Sequence, residues 1–223
     1  MNFLNKIIFF YYREYKLTMS GAQDILTNII FFFISIFIFI FSIGPDKQTI
    51  SIIGVGILWT LLLLSSTLSL RKFYQDDFEN GNLLIIHLNG FSFGFISILK
   101  TFSHFLFVQV PFLLSIPIAC ILLNIANDKL FYLFASFSIG SLILSCLGSI
   151  SSSMNLMNQR NFLLGSVIVM IFSVPIIIFS VGIINMEESF NSLINILFGI
   201  LLIVFAINPW ASGLCLKLSI ENN

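Results

Sequence analysis

The chain has 223 residues, of which 58% are hydrophobic and only 9% charged, with ten basic and ten acidic residues in balance. Soluble domains carry about 25% charged residues, and a domain of this size could not bury so much apolar surface. A mean hydropathy of +1.05 therefore excludes a soluble enzyme, a nucleic-acid binder and a disordered chain, and indicates an all-α membrane protein of packed spans.

The first 24 residues show helical periodicity. Leu4, Ile7, Ile8, Tyr11 and Tyr15 share one face, with Lys6 and Arg13 opposite, which predicts an amphipathic helix lying in the membrane interface. The apolar run Ile7–Tyr12 is too short for a secretory signal, and no small-residue cleavage site follows it. Uncharged stretches then follow at 25–45, 48–70, 80–99, 101–127, 130–159, 161–186 and 189–216. A spanning helix needs roughly 20 mostly apolar residues. Six stretches qualify. The exception is 80–99, whose Asn80, Gly81, Asn82, His87, Asn89 and Gly90 predict a surface helix and a turn.

Positive charge tests this count, because Lys and Arg concentrate on the cytoplasmic side. Six spans with both termini inside place Lys6, Arg13, Lys16, Arg71, Lys72, Lys100, Arg160 and Lys217 inside, and only Lys47 and Lys129 outside. A seventh span at 80–99 would worsen that separation. The chain thus divides into an interfacial helix, 1–24, and a six-span domain, 25–217, with one long cytoplasmic segment at 71–100. The other connections are short. Both termini are expected to be cytoplasmic.

Little in the chain offers catalysis. There is no Gly-x-x-x-x-Gly-Lys-Ser/Thr loop to cradle a nucleotide, so the chain is not expected to be an enzyme, and any ATP must be hydrolysed by a separate subunit. Cys120, Cys146 and Cys215 lie far apart in apolar runs, as small packing residues. His87 and His104 are 17 residues apart; hydrogen bonding at the interface accounts for each better than metal or haem ligation. Every ionisable residue falls at a span end or in a connection, which argues against an ion-coupled carrier. Ser138, Ser141, Ser145, Ser149 and Ser152 line one face of the fourth span. That stripe is read as close helix packing in preference to a path wall. Pro111, Pro117 and Pro175 lie inside spans, where each deletes a helical hydrogen bond.

The densest constellation runs from Arg71 to Leu83. Lys72 and Asp76 stand at i, i+4, spaced for a helical ion pair. Phe73, Tyr74 and Phe78 stand among Asp76, Asp77 and Glu79, ahead of Gly81 and Leu83. Aromatic side chains among charges are the usual anchors of a protein interface, so these eight residues are expected to contact a partner.

This segment, with Trp59 and Ser69-Leu70-Arg71 before it, resembles the hallmark stretch of the heme exporter protein B (CcmB) family, the permease of the cytochrome c maturation ABC transporter. Arg13-Glu14, Val174-Pro175 with Phe179 and Gly182, and Asn208-Pro209-Trp210-Ala211 resemble other parts of the same family, so the likeness spans the chain. It departs at Leu84, where the family usually has an acid, and at His87-Leu88-Asn89-Gly90, where it usually has Ser-Pro. The resemblance implies an ABC-2-type permease in which a short elbow helix precedes six spans. It further implies a second permease copy, a separate cytoplasmic ATPase coupled through the segment after the second span, and other cytochrome c maturation membrane proteins as partners. Haem would be the transported or handled ligand; no haem ligand or resident cofactor is assigned. A permease of this type for a lipid, glycan or drug, and a non-transporting scaffold for haem-handling proteins, are the alternatives.

Overall fold

The computed structural model describes residues 3–44, 46–70, 72–157, 163–185 and 189–221. Arg71 and Arg160 of the charge count, and the Lys72 side chain expected to pair with Asp76, lie outside what is described. Among the described residues there is no strand, and six helical runs are long and apolar enough to cross a membrane.

The chain opens with α1 (Phe3–Ser20), ended by Gly21, and continues into α2 (Ala22–Ile43). Asp46 starts α3 (Lys47–Ser69) by accepting hydrogen bonds from the Gln48 N–H and the Thr49 hydroxyl. An N-cap side chain satisfies donors that the first helical turn leaves open. The same bonds hold the Asp46 carboxyl below its ordinary pKa. Two short helices follow, α4 (Lys72–Glu79) and α5 (Asn82–Leu88). Gly81 joins them at φ +69°, a left-handed conformation that glycine adopts without penalty.

The third span begins earlier than the sequence suggests. Helix α6 (Phe93–His104), capped by Ser92, takes in the end of the 80–99 stretch. Only 82–88 is a surface helix, and from Phe93 the chain is already climbing through the bundle. A π-helical turn, Phe105–Gln109, links α6 to α7 (Val110–Leu122), with the Val110 N–H bonded to the Phe105 carbonyl. Its cause is Pro111, which has no N–H to donate and whose ring crowds the carbonyl four residues back. Widening the turn by one residue relieves that clash. A 3₁₀ turn (Asn127–Lys129) leads into α8 (Leu130–Met157), followed by α9 (Leu163–Asn185) and α10 (Phe190–Glu221).

Helix α8 is the axis of the bundle, packed against α10, α9, α6, α4 and α7. Its small residues permit this: Ser136, Gly140, Ser141, Ser145, Gly148, Ser149, Ser152 and Ser153 are all buried. Gly140 receives the edge of Trp59, whose ring centroid lies 5.5 Å from that of Phe137. Four residues of the serine stripe, Ser141, Ser145, Ser149 and Ser152, thus turn inward as close packing, while Ser138 is half-buried. The lipid-facing sides are apolar instead, with Ile34, Phe37, Ile38 and Phe41 exposed on α2 and Ile171, Phe172 and Ile178 on α9.

Helix α1 is amphipathic, but its partition differs from the expected one. Leu4, Ile8 and Tyr12 face outward, whereas Phe10 and Glu14 are buried and Lys6 donates to the Asn89 carbonyl, 2.8 Å away. At a lipid interface the apolar side chains are satisfied outside, and the charges turn toward the protein to find partners.

Candidate functional site

The polar chemistry collects at the end of the bundle that carries α1, α4 and α5. Four charged side chains meet there from three helices: Arg13 and Glu14 on α1, Asp77 on α4 and Lys100 on α6. The Arg13 Nη1 lies 2.6 Å from Glu14 Oε1, and Arg13 also pairs with Asp77. Lys100 pairs with Asp77 and lies 3.2 Å from Glu14 Oε2. Its Nζ also donates to the Phe73 carbonyl at 3.4 Å. The Asp77 and Lys100 side chains are only 4% and 9% exposed, so water screens them poorly. Two cations against two anions leave the group neutral, the condition under which buried charge is tolerated. Burial alone would lower the Arg13 pKa, but its bonds to Asp77 and Glu14 outweigh that and raise it.

A second network fastens α4 from the other side. Tyr74 Oη lies 2.7 Å from Ser149 Oγ, which lies 3.1 Å from Ser212 Oγ. Ser212 donates to Asn208 Oδ1 and Asn208 Nδ2 donates to Thr101 Oγ1, both at 2.9 Å. Because Ser212 spends its proton on Asn208, Ser149 must donate to Ser212 and Tyr74 to Ser149. The network therefore runs in one direction from α4 through α8 to α10, and Asn208 closes it onto α6.

His104 bridges α3 and α8, with Nε2 2.9 Å from Ser69 Oγ and Nδ1 3.0 Å from Ser145 Oγ. The Phe73 ring lies 4.9 Å away. Both ring nitrogens are engaged, so His104 is a cross-brace between helices. The partners differ from the backbone or Ser103 expected from sequence. His87 stacks on Phe93 at 4.1 Å and bonds the Phe91 carbonyl. Cys120 and Cys146 are buried and unpaired. No set of three or more metal-ligating residues converges among the described residues.

Between α1, α2, α3, α4 and α6 lies a cavity of about 510 Å³. Asn28, Ser69, Asp76, Asp77, Lys100 and His104 contribute to its polar wall, and Ile25, Leu68, Phe73 and Val108 to its apolar one.

The eight residues singled out in the 71–83 segment divide into two sets. Phe73, Tyr74, Asp77 and Leu83 are buried within the chain. They cannot present docking anchors as the sequence suggested, because their partners are α1, α6 and α8. Asp76, Glu79 and Gly81 are exposed, and Phe78 is half-buried against the core. The exposed apolar side chains of the hairpin are Leu84, Ile85 and Leu88, which sequence reasoning passed over. Glu14 and Lys100 were missed as well. The available signal was charge standing in otherwise apolar helical stretches.

A profile of the family described as CcmB protein matches residues 5–219. The chain belongs to the CcmB family. Heme exporter protein B of Haemophilus influenzae is 28% identical over 213 residues, covering 94% of this chain and 96% of the relative. Heme exporter protein B of Paracoccus denitrificans is 31% identical over 163 residues, covering 73% and 75% respectively. The CcmB chain described here is a multi-pass membrane protein with the six-span layout read from its sequence, and some of the residues that carried the resemblance meet in space: Arg13-Glu14, Asp77 and Asn208 belong to the two networks around α4, whereas Val174-Pro175, Phe179 and Gly182 lie apart on α9.

Proposed function

We propose that this chain is the membrane permease subunit of an ABC exporter that delivers haem out of the cytoplasm for c-type cytochrome assembly. The observation that carries this reading is the family match across residues 5–219, joined to a full-length likeness to a heme exporter protein B. The chain itself holds no nucleotide loop, so ATP hydrolysis falls to a separate cytoplasmic subunit, and two permease copies would face two such subunits. Haem is cargo in this reading and not a resident cofactor. Deleting the gene should abolish covalent haem staining of c-type cytochromes while b-type cytochromes persist. Normal c-type cytochromes in the deletion strain would overturn the assignment.

Orientation follows from charge. The end bearing Lys6, Arg13, Lys16 and Lys100 is cytoplasmic in a bacterial inner membrane by the positive-inside rule. A reporter fused at Asn80 should read as cytoplasmic, and reporters at Asp46 and Asp128 as periplasmic. The opposite pattern would invert the molecule.

The α4–α5 hairpin is then the element that an ATPase can reach. Its exposed side offers Leu84, Ile85 and Leu88 beside Asp76 and Glu79. Buried apolar anchors dominate interface energy, each worth about 2 kcal/mol or more, while rim charges set rate and salt sensitivity. Replacing Leu84, Ile85 and Leu88 together by Ser should sharply reduce ATPase co-purification. The pair Asp76→Asn, Glu79→Gln should mainly blunt its salt dependence. Unchanged co-purification in both variants would show that the hairpin is only a solvated connection. Phe73, Tyr74, Asp77 and Leu83 serve the same coupling from within, by tying the hairpin to the spans.

A further inference from the structure

The π-helical turn places an unusual side chain in the interior. Gln109 ends that turn and is 1% exposed, yet neither amide atom has a hydrogen-bond partner. Ser65 on α3 is fully buried, and its hydroxyl is likewise unpaired. An unsatisfied buried amide is costly in a bundle without water, and two orphans of this kind need an explanation.

Helix register brings them to one level. His104 is bonded to Ser69 on α3 and to Ser145 on α8, which pins three helices together. The third span runs antiparallel to both. One π-turn beyond His104 is Gln109; one α-turn back from Ser69 is Ser65, and from Ser145 is Ser141. The turn packs against both α3 and α8. Ser141 donates to the Ser138 carbonyl at 3.2 Å, which leaves its oxygen able to accept. His104 and Val108, which line the cavity described above, precede Gln109 on the same span.

We propose that Gln109 and Ser65 hold an internal water, one turn beyond the His104 brace. The Gln109 amide supplies a donor and an acceptor, the Ser65 hydroxyl supplies either, and Ser141 supplies a further acceptor. A buried water makes two to four such bonds, so the set matches one molecule. The ligand is uncharged, because the helices carry no Asp, Glu, Lys or Arg over 58–69, 101–122 or 130–157. The site carries the polar lining of the cavity past His104 toward the middle of the bundle. It is independent of what the permease carries.

The test is radiolytic footprinting of the purified full chain in detergent, with ¹⁸O water and no added ligand. Leu62 and Phe112 flank the site on their own helices and are 1% and 0% exposed, so oxygen incorporated there reports water already inside. Both should label in the native protein, and labelling should fall several-fold in Gln109→Met and in Ser65→Ala. Thermal unfolding gives the second reading. With a shared water, the double variant should be no less stable than Gln109→Met alone, since the first substitution already empties the site. The proposal is overturned if neither residue labels in the native chain, or if labelling survives in both variants. It is equally overturned if the two substitutions each raise the unfolding midpoint and do so additively. That result would mean that a dry, unpaired group had simply been removed.

Discussion

Asp77→Asn should destabilise the protein by about 3–5 kcal/mol, the usual penalty for breaking a buried ion pair by removing one partner. Its neighbour Asp76, exposed and bonded through its backbone carbonyl to Asn80, should tolerate the same change within about 0.5 kcal/mol. Asp77 faces both Arg13 and Lys100. Neutralising it leaves two cations against Glu14 alone, at a site with little access to water. Adding Lys100→Gln to Asp77→Asn restores neutrality and keeps the Arg13–Glu14 pair, so the double variant should recover part of the loss. Thermal unfolding in detergent measures all three. If Asp77→Asn behaves like Asp76→Asn, the four-charge group does not hold α1, α4 and α6 together. The same measurement separates two ways of losing transport. A variant that fails because α4 detaches will unfold early, while one that merely loses its partner will keep its unfolding midpoint.

A comparable loss is expected where α6 crosses α10. A Cβ on Gly94 would lie 2.8 Å from the Pro209 carbonyl oxygen, and one on Gly213 would lie 2.9 Å from the Gly94 backbone nitrogen. Both obstacles are backbone, which cannot rotate aside as a side chain does. Overpacking at such a contact costs typically about 1–3 kcal/mol, and here the helices must separate to admit the methyl group. Gly94→Ala and Gly213→Ala should therefore each lower the unfolding midpoint. Gly199 on the same helix has open space around its Cβ, so Gly199→Ala should instead be stabilising by about 0.5–1 kcal/mol through the unfolded chain. Equal effects at all three positions would mean that the crossing is looser than these distances indicate. The crossing also explains the placement of Asn208: close approach of α10 lets its amide reach Thr101 and complete the network that begins at Tyr74.

The number of spans and the helical first segment were legible because each depends on local composition. A stretch such as 161–186 is apolar whatever surrounds it, and length and hydropathy alone make it a span. The start of the third span was not legible. Gly90, Ser92 and Gly94 look like loop residues in the sequence, but Ser92 is a helix cap and Gly94 is a packing contact. The aromatic residues of α4 misled for a related reason. In a soluble protein Phe73 and Tyr74 among charges would suggest a docking face. Here α4 lies against α8, and the protein interior takes those side chains.

Sequence by itself determined that the chain crosses a membrane six times and that its basic residues gather toward one side. These are sums over neighbouring residues, which the bilayer reads directly through the cost of burying polar groups. Only the tertiary structure decided which side of each helix faces lipid and which faces protein, because an apolar side chain is satisfied by either. It also decided that Arg13 meets Asp77 across 64 residues, that Glu14 meets Lys100, and that Gln109 is turned inward by a proline-induced π-turn. Such pairings depend on how helices distant in sequence are set against one another, and no local pattern encodes that registration.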